Sequence, residues 1–463
     1  EPGAGPRIWA VKTFSIVADL LRVRRQGQAA LALRQQTRLH TLLSSARANS
    51  RFYQRLYSRL PADAALEAIP PVTKQELMAS FDDWVCDPRL TLAGVEAFVA
   101  GPEPAGTPYL GEYFVCSTSG TTGNPGIFVH DRDACRVYHA MSYPLDLAWL
   151  SGRQWFRILS HRVRWAVVVG TGGHFAGEGW IGFLSRRHWW RRDSWKAFSL
   201  QRPLAELVRE LNAFQPAIVT SYPSALDVLA AEQLAGRLQI HPLMVELGGE
   251  SAGAARRNRI AEAFGDDVVH DSYSASECLV LAFDCAEGWL QVNADWVILE
   301  PVEADYSPTP RGRRSHTVLL TNLANKVQPI IRYDLGDSVA ERPDPCPCGS
   351  PLPAIRVEGR CDDVLHFTGP DGHGVDVLPL AVGSVVDECS GVLRSQLIRS
   401  GPSTLTLRLD VRPNEQPQRV WDQTAGALAD YLADQGLPNI DIVRSIEAPQ
   451  RSPTSGKFRQ VIG

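Results

Sequence analysis

The sequence predicts an α/β protein: a large N-terminal region built on mostly parallel sheets, followed by a small C-terminal α+β domain. Three observations carry that reading. Between about residues 108 and 340, short apolar strands alternate with amphipathic helices, the pattern of βαβ units and of a parallel sheet covered on both faces. Residues 15–60 keep a helical period, with Leu20, Leu21, Leu31, Leu33, Leu39, Leu42 and Leu43 set among Arg, Gln and Ala. Near 340–363 the chain turns rich in Pro, Cys and charge, and about one hundred residues of mixed strand and helix pattern follow it.

Each element follows from local chemistry. Asn49-Ser50 ahead of Arg51-Phe52-Tyr53 predicts a helix break and restart. In the alternating region the apolar runs Trp165–Gly170, Ala217–Thr220 and Met244–Leu247 read as strands. Pro203–Phe214 and Ser224–Leu234 read as the helices between them. In the last hundred residues Val375–Leu378, Ser395–Arg399, Leu405–Val411 and Ile440–Ser445 read as strands, and Val420–Gln435 as a helix. The boundary falls at Gly359 to Asp363, which gives an N-terminal domain over 1–359, a hinge over 360–363 and a C-terminal domain over 364–463. No repeat of fixed period is visible, which argues against solenoids and propellers.

Composition narrows the function classes. Of 463 residues, 47 are Lys or Arg and 51 are Asp or Glu, a net charge of −4 that argues against a general nucleic-acid binder. No apolar run reaches the roughly 18–20 residues that span a bilayer. The opening Glu1-Pro-Gly-Ala-Gly-Pro6 has no charged-then-apolar signal pattern. Nine cysteines, scattered apart from Cys346 and Cys348, suit a reducing compartment, so a cytoplasmic protein is expected. The 37 Gly and 32 Pro are too many for a helical bundle and too dispersed for a linker.

Five loops hold the chemistry. Ser117-Thr-Ser-Gly-Thr-Thr-Gly-Asn-Pro125 lies between two strand-like runs and offers the N–H and O–H donors that wrap a phosphate. It is not a Walker loop, which needs Gly-Lys-Ser/Thr. Asp271-Ser-Tyr-Ser-Ala-Ser-Glu277 puts an aromatic ring and a carboxylate four residues apart at a strand end, suited to a base and a divalent cation. Pro329-Ile-Ile-Arg-Tyr-Asp-Leu-Gly-Asp337 ends a strand with a carboxylate suited to ribose hydroxyls. Gly359-Arg-Cys-Asp-Asp363 sits on the domain boundary, and Ser452-Pro-Thr-Ser-Gly-Lys457-Phe-Arg lies close to the end. Taken singly, each is an ordinary turn or linker.

Their order is what carries a resemblance. The chain resembles the adenylate-forming superfamily of acyl- and aryl-CoA synthetases, peptide-synthetase adenylation domains and luciferases. Within it the chain is most similar to the phenylacetate–CoA ligase group, leaning toward the branch of synthetases that adenylylate the deazaflavin coenzyme of methanogens. Leu247-Gly-Gly-Glu250, Ser221-Tyr-Pro-Ser224, Thr321-Asn-Leu, Cys346-Pro-Cys-Gly349 and the closing Ser-Gly-Lys-Phe-Arg support it. The similarity covers nearly the whole chain, including Val72-Thr-Lys-Gln-Glu.

The resemblance implies a role for each motif. Ser117, Thr118, Ser119, Gly120, Thr121, Thr122 and Gly123 would close over the β- and γ-phosphates of ATP, with Asn124 where many members carry Lys. Gly248, Gly249, Glu250, Ser272 and Tyr273 would line the adenine site, Asp337 would hold the ribose, and Glu277 would bind Mg²⁺. Arg360 would contact ribose or phosphate, and Asp362 would be the hinge of a mobile C-terminal lid. Lys457 would reach the α-phosphate during adenylation. Tyr222, Ser274 and His174 are expected in the substrate pocket; Ser274 stands where members usually carry Gly. Cys285, Cys346 and Cys348, with Cys278 in place of a missing histidine at Gln291, form a candidate Zn²⁺ site.

The implied activity is AMP-forming ligation. A carboxylic acid becomes an acyl-adenylate with release of pyrophosphate, and a thiol, CoA, takes the acyl group. The alternatives are the same adenylation followed by amide formation or nucleotidyl transfer to an alcohol or phenol, and a non-catalytic nucleotide-binding protein. Implied partners are a small carboxylic acid and the thiol acceptor, without nucleic acid or a membrane span; the oligomeric state is left open, a homodimer among the options. The segment 153–196, dense in Arg and Trp, reads as an amphipathic face or as a wall that meets an anionic substrate or the CoA phosphates. Within it Gly170-Thr-Gly-Gly-His174-Phe lacks the third glycine of a dinucleotide fingerprint.

Overall fold

The computed structural model describes residues 6–61, 64–118, 126–149, 164–171, 174–250, 252–360, 364–377, 379–451 and 458–463. The chain opens with α1 (Pro6–Gln26) and α2 (Gln28–Asn49), which reverse at Gly27, where φ is +84° and glycine alone is unstrained. α3 (Arg51–Leu56) restarts at Ser50, whose hydroxyl accepts from the Tyr53 N–H as an N-cap. These helices bury Leu20, Leu31, Leu42 and Tyr53, so the leucine period is a packing face. Short helices α4 (Lys74–Ala79), α5 (Phe81–Trp84) and α6 (Leu92–Ala100) follow, the first closed by a Thr73/Glu76 capping box.

A hairpin of β1 (Phe114–Ser117) and β2 (Ile127–His130) leads into α7 (Arg132–Trp149). The alternating region then runs β3 (Trp165–Val169), α8 (Ala176–Arg187), β4 (Trp195–Ser199), α9 (Leu204–Phe214), β5 (Ile218–Ser221), α10 (Pro223–Leu234), β6 (Met244–Leu247) and α11 (Ala254–Phe264). Next come β7 (Val269–Ala275), β8 (Cys278–Asp284), β9 (Leu290–Val292), β10 (Val297–Val302), β11 (Thr317–Asn322), β12 (Tyr333–Asp334), β13 (Asp337–Glu341) and β14 (Ala354–Arg360).

Nine of these strands form one sheet in the order β13-β14-β9-β8-β7-β6-β5-β3-β4. From β4 to β7 all neighbours are parallel, because each crossover contains a helix. From β7 to β13 all are antiparallel, because β7–β8 and β8–β9 are joined by short turns. The expectation of mostly parallel pairing therefore holds for one half of this sheet. A separate antiparallel sheet pairs β10, β11 and β12.

The last hundred residues form β15 (Leu365–Thr368), β16 (Gly374–Val377), α12 (Pro379–Asp387), β17 (Val392–Gly401), β18 (Thr404–Val411), α13 (Pro417–Asp434), β19 (Asp441–Arg444) and β20 (Val461–Ile462). Their four-stranded sheet runs β19-β18-β17-β20, and Leu397, Leu405, Leu407 and Leu428 make a core drawn from residues 365–461 alone. We refer to this part as the small lobe. Among the described residues no helix is long and apolar enough to cross a membrane.

Candidate active site

A cavity of about 1900 Å³ opens at the C-terminal ends of β5, β6 and β7, the crevice where parallel α/β sheets bind ligands. Ser117 and Thr118 line one side; Gly248, Gly249 and Glu250 follow β6 on another; Ser272, Tyr273 and Ser274 come from β7. Glu277, Asp337 and Arg360 face the same space. The small lobe roofs it with Gln450, Arg451, Phe458 and Arg459. Motifs far apart in sequence thus meet at one opening.

The first loop is pinned at its neck. Ser117 N–H donates to the His174 carbonyl (2.8 Å), Thr118 N–H to the Gly126 carbonyl (2.9 Å), and Gly126 N–H back to the Thr118 hydroxyl (2.8 Å). Ser119, Gly120, Thr121, Thr122 and Gly123 lie outside the described residues, as do Asp362 and Lys457.

Around Glu277 the geometry is specific. The Tyr333 hydroxyl donates to Glu277 Oε1 at 2.8 Å, and Asn322 Nδ2 donates to the Glu277 backbone carbonyl at 2.9 Å. Burial pushes the Glu277 carboxyl above the usual carboxylate range; the Tyr333 bond and the nearby Arg360 charge oppose that rise, and Asp337 adds to it. Tyr273 donates its phenol to Asp337 Oδ2 at 2.6 Å, and Arg360 Nη1 lies 3.3 Å from Asp337 Oδ1. Tyr333 and Asn322 were not singled out in the sequence as site residues. Both stand inside motifs that were, but their contacts with Glu277 arise only once β11 and β12 are folded against it.

Glu250 does more than line a nucleotide wall. Its Oε2 accepts from Ser224 N–H (3.2 Å) and its Oε1 from Phe458 N–H (2.6 Å), while Arg451 Nη1 donates to Ser224 Oγ at 2.9 Å. The residues on both sides of 452–457 are therefore fastened to the start of α10 and the end of β6.

No protein-family model matches the chain, and no curated protein matches it. Solved structures do. The 2-hydroxyisobutyryl-CoA ligase in the postadenylation state, in complex with R3-HIB-AMP, superposes with a TM-score of 0.68 at 20% identity, covering 94% of this chain and 89% of that one. This chain has the adenylate-forming ligase fold. The same ligase with 2-HIB-AMP and CoA in the thioesterification state gives 0.52 at 21% identity, over 92% and 88%. An amide bond synthetase, McbA from Marinactinospora thermotolerans, gives 0.50 at 15% identity, over 77% and 70%.

Within this adenylate-forming fold two expected positions are corrected. His174 does not line the cavity: it is 3% exposed, its ring packs 4.9 Å from that of Phe98, and burial lowers its pKa so that it stays neutral. Tyr222 and Ser274 do line it. Cys285, Cys346 and Cys348 gather with all three Sγ atoms within 4.8 Å, and Cys285 and Cys346 Sγ are 3.7 Å apart. Cys278 is not with them. It starts β8, and Cys285 follows the far end of that strand, about 20 Å of extended chain away. Gln291 instead meets the trio, its Nε2 3.5 Å from Cys285 Sγ. Of the Arg- and Trp-rich segment, the described Trp165, Trp180, Trp190, Arg191 and Trp195 line the cavity, whereas Arg186 binds the Ala105 carbonyl.

Proposed function

We propose that the chain is an ATP-dependent acid–CoA ligase. The acid's carboxylate attacks the α-phosphorus of ATP, the α–β phosphoanhydride breaks and pyrophosphate leaves with the electron pair. The CoA thiol then displaces AMP from the acyl-adenylate and gives up its proton. The observation that supports this reading most is the meeting of Glu277, Asp337, Arg360 and Gly248-Gly249-Glu250 in one cavity, beneath the segments flanking Lys457.

The chemistry asks for those groups. Two anions must be brought together, so positive charge and oriented N–H donors have to meet the charge that develops on the α-phosphoryl group. Asp337, oriented by the Tyr273 phenol and Arg360, would accept from ribose hydroxyls. Glu277 fits Mg²⁺, since a carboxylate whose ionised form burial disfavours gains most from a cation beside it; bound there, the ion would spread phosphate charge. The first loop would hold the leaving pyrophosphate. Lys457 would serve adenylation and then obstruct the thiol, which is the reason to carry it on a lobe that turns about Asp362. Better superposition on the postadenylation state than on the thioesterification state of one ligase supports an arrangement set for the first step.

Pyrophosphate release with ATP and a library of carboxylic acids tests the first half; a thioester of the expected mass on adding CoA tests the second. Turnover of acid with amines or alcohols in place of CoA overturns the acceptor. The cysteine trio fits three corners of a structural zinc, with Gln291 a poor fourth ligand. About one zinc per chain in purified protein supports that role, and under about 0.2 dismisses it.

A further inference from the structure

Below the nucleotide level the cavity continues along the parallel half of the sheet, and of the carboxylates that line it there, Asp271, Asp284 and Glu246, the last stands on the central strand β6. The registers put Val167, Thr220, Glu246 and His270 in a single rung across β3, β5, β6 and β7. Side chains alternate along a strand, so Glu246 shares its face with Gly248 and lies about 6.6 Å deeper. Trp165, Ile218 and Met244 form the next rung on the same face, and Trp180, Ile181 and Trp195 are further apolar lining residues, with Asp284 polar among them.

Glu246 is held in place rather than loosely buried. Trp165 Nε1 donates to Thr220 Oγ1 at 2.9 Å, and that hydroxyl donates to Glu246 Oε2 at 2.7 Å. Among the described residues no lysine or arginine forms an ion pair with it. Its charged surroundings are His270 and Asp284, themselves 3.4 Å apart. Burial pushes its carboxyl up, while the Thr220 and Ser272 hydroxyls and the His270 charge oppose that rise; a cation against it would add to them. An oriented carboxylate at the floor of an aromatic pocket selects for a positive donor.

We propose that the acid activated here has an aromatic-sized apolar body and, at the end away from its carboxyl group, a cationic amino group received by Glu246. This rests on the acid-activating function proposed above. The span from the Gly248 level to Glu246 suits one ring, and the opposite selection, for a distal anion, would fall to Arg191 at the cavity wall.

The test compares 4-(aminomethyl)benzoate, 4-ethylbenzoate and benzene-1,4-dicarboxylate by kcat/KM for pyrophosphate release, in the native protein and in Glu246→Gln. The native protein should favour the aminomethyl acid over the ethyl acid by about tenfold or more, as a charged hydrogen bond implies, and Glu246→Gln should bring that ratio close to one. Preference for the ethyl acid or the diacid, or a ratio that survives Glu246→Gln, overturns the proposal. If no acid releases pyrophosphate, the acid-activating reading fails, and calorimetric binding of the aminomethyl acid still tests Glu246. Binding at least about tenfold tighter to native protein than to Glu246→Gln supports the site, and equal or absent binding overturns it. Should Glu246→Gln not fold, Thr220→Val removes the orienting hydroxyl and should cut the ratio severalfold; an unchanged ratio counts against the proposal.

Discussion

At the scale of single residues, the site is a set of carboxylates whose charge is managed by phenols. Tyr333 favours the ionised form of Glu277, which burial opposes. If the ionised form is the one that works, activity rises with pH as Glu277 loses its proton. Tyr333→Phe raises that carboxyl further and moves the acid limb of the pH–rate profile to higher pH. The expected cost is about tenfold on the rising limb, for a bond of about 1.5 kcal/mol, with far less on the plateau. A uniform loss at all pH values would mean that Tyr333 acts elsewhere. Lys457→Ala should lower adenylation by about 10²–10³, as loss of one charge-stabilising donor does, and spare thiolysis of preformed acyl-adenylate. Equal losses in both steps would remove the case for a turning lobe. Glu277 and Asp337 were legible in sequence because each closes a motif. Tyr333 and Asn322 were not, since their meaning arises only when β11 and β12 are folded against the Glu277 turn.

At the scale of elements, the sequence was read most accurately where hydrophobic runs were short and bounded. Met244–Leu247 coincides with β6, and Trp165–Gly170 exceeds β3 by one residue. Pairing sense was less legible, because an apolar run looks the same whether its neighbour is parallel or antiparallel. The close fit of α8 was invisible too. A Cβ on Gly106 (φ +77°) would enter the backbone of Gly179 and Phe183, and one on Gly182 would lie 2.5 Å from the Ala105 carbonyl. The helix that carries Trp180 into the cavity is therefore seated backbone to backbone. Gly106→Ala should destabilise by more than about 2 kcal/mol, read as a drop in melting temperature, because strain and overpacking add. A native-like melting temperature would show that the segment yields instead.

At the scale of the whole molecule, Glu250 is one of the contacts that fasten the small lobe to the rest, beside Arg451 on Ser224. Glu250→Ala removes the acceptor of both the Ser224 and Phe458 amides. It should quicken proteolysis near 360–364 and slow adenylation more than thiolysis, by about tenfold in the ratio of the two rates. An unaltered cleavage rate would show that other contacts seat the lobe. The other end of the chain carries a consequence of a different kind. Arg24 donates to Asn293 (2.8 Å), Gln35 to the Ala294 carbonyl (2.7 Å), and the Arg38 guanidinium sits 3.5 Å above the Trp296 ring. The first helices are thus completed by residues made some 260 positions later. At about 5–20 residues per second, the ribosome delivers that partner roughly 13–50 s after the helices emerge. α1 meets α2 and α7 well before then, so what waits through that interval is the side of the first helices that Asn293, Ala294 and Trp296 cover. The small lobe, whose core needs nothing before residue 365, has no such wait, so nascent-chain protection by chaperones should matter most for the first sixty residues.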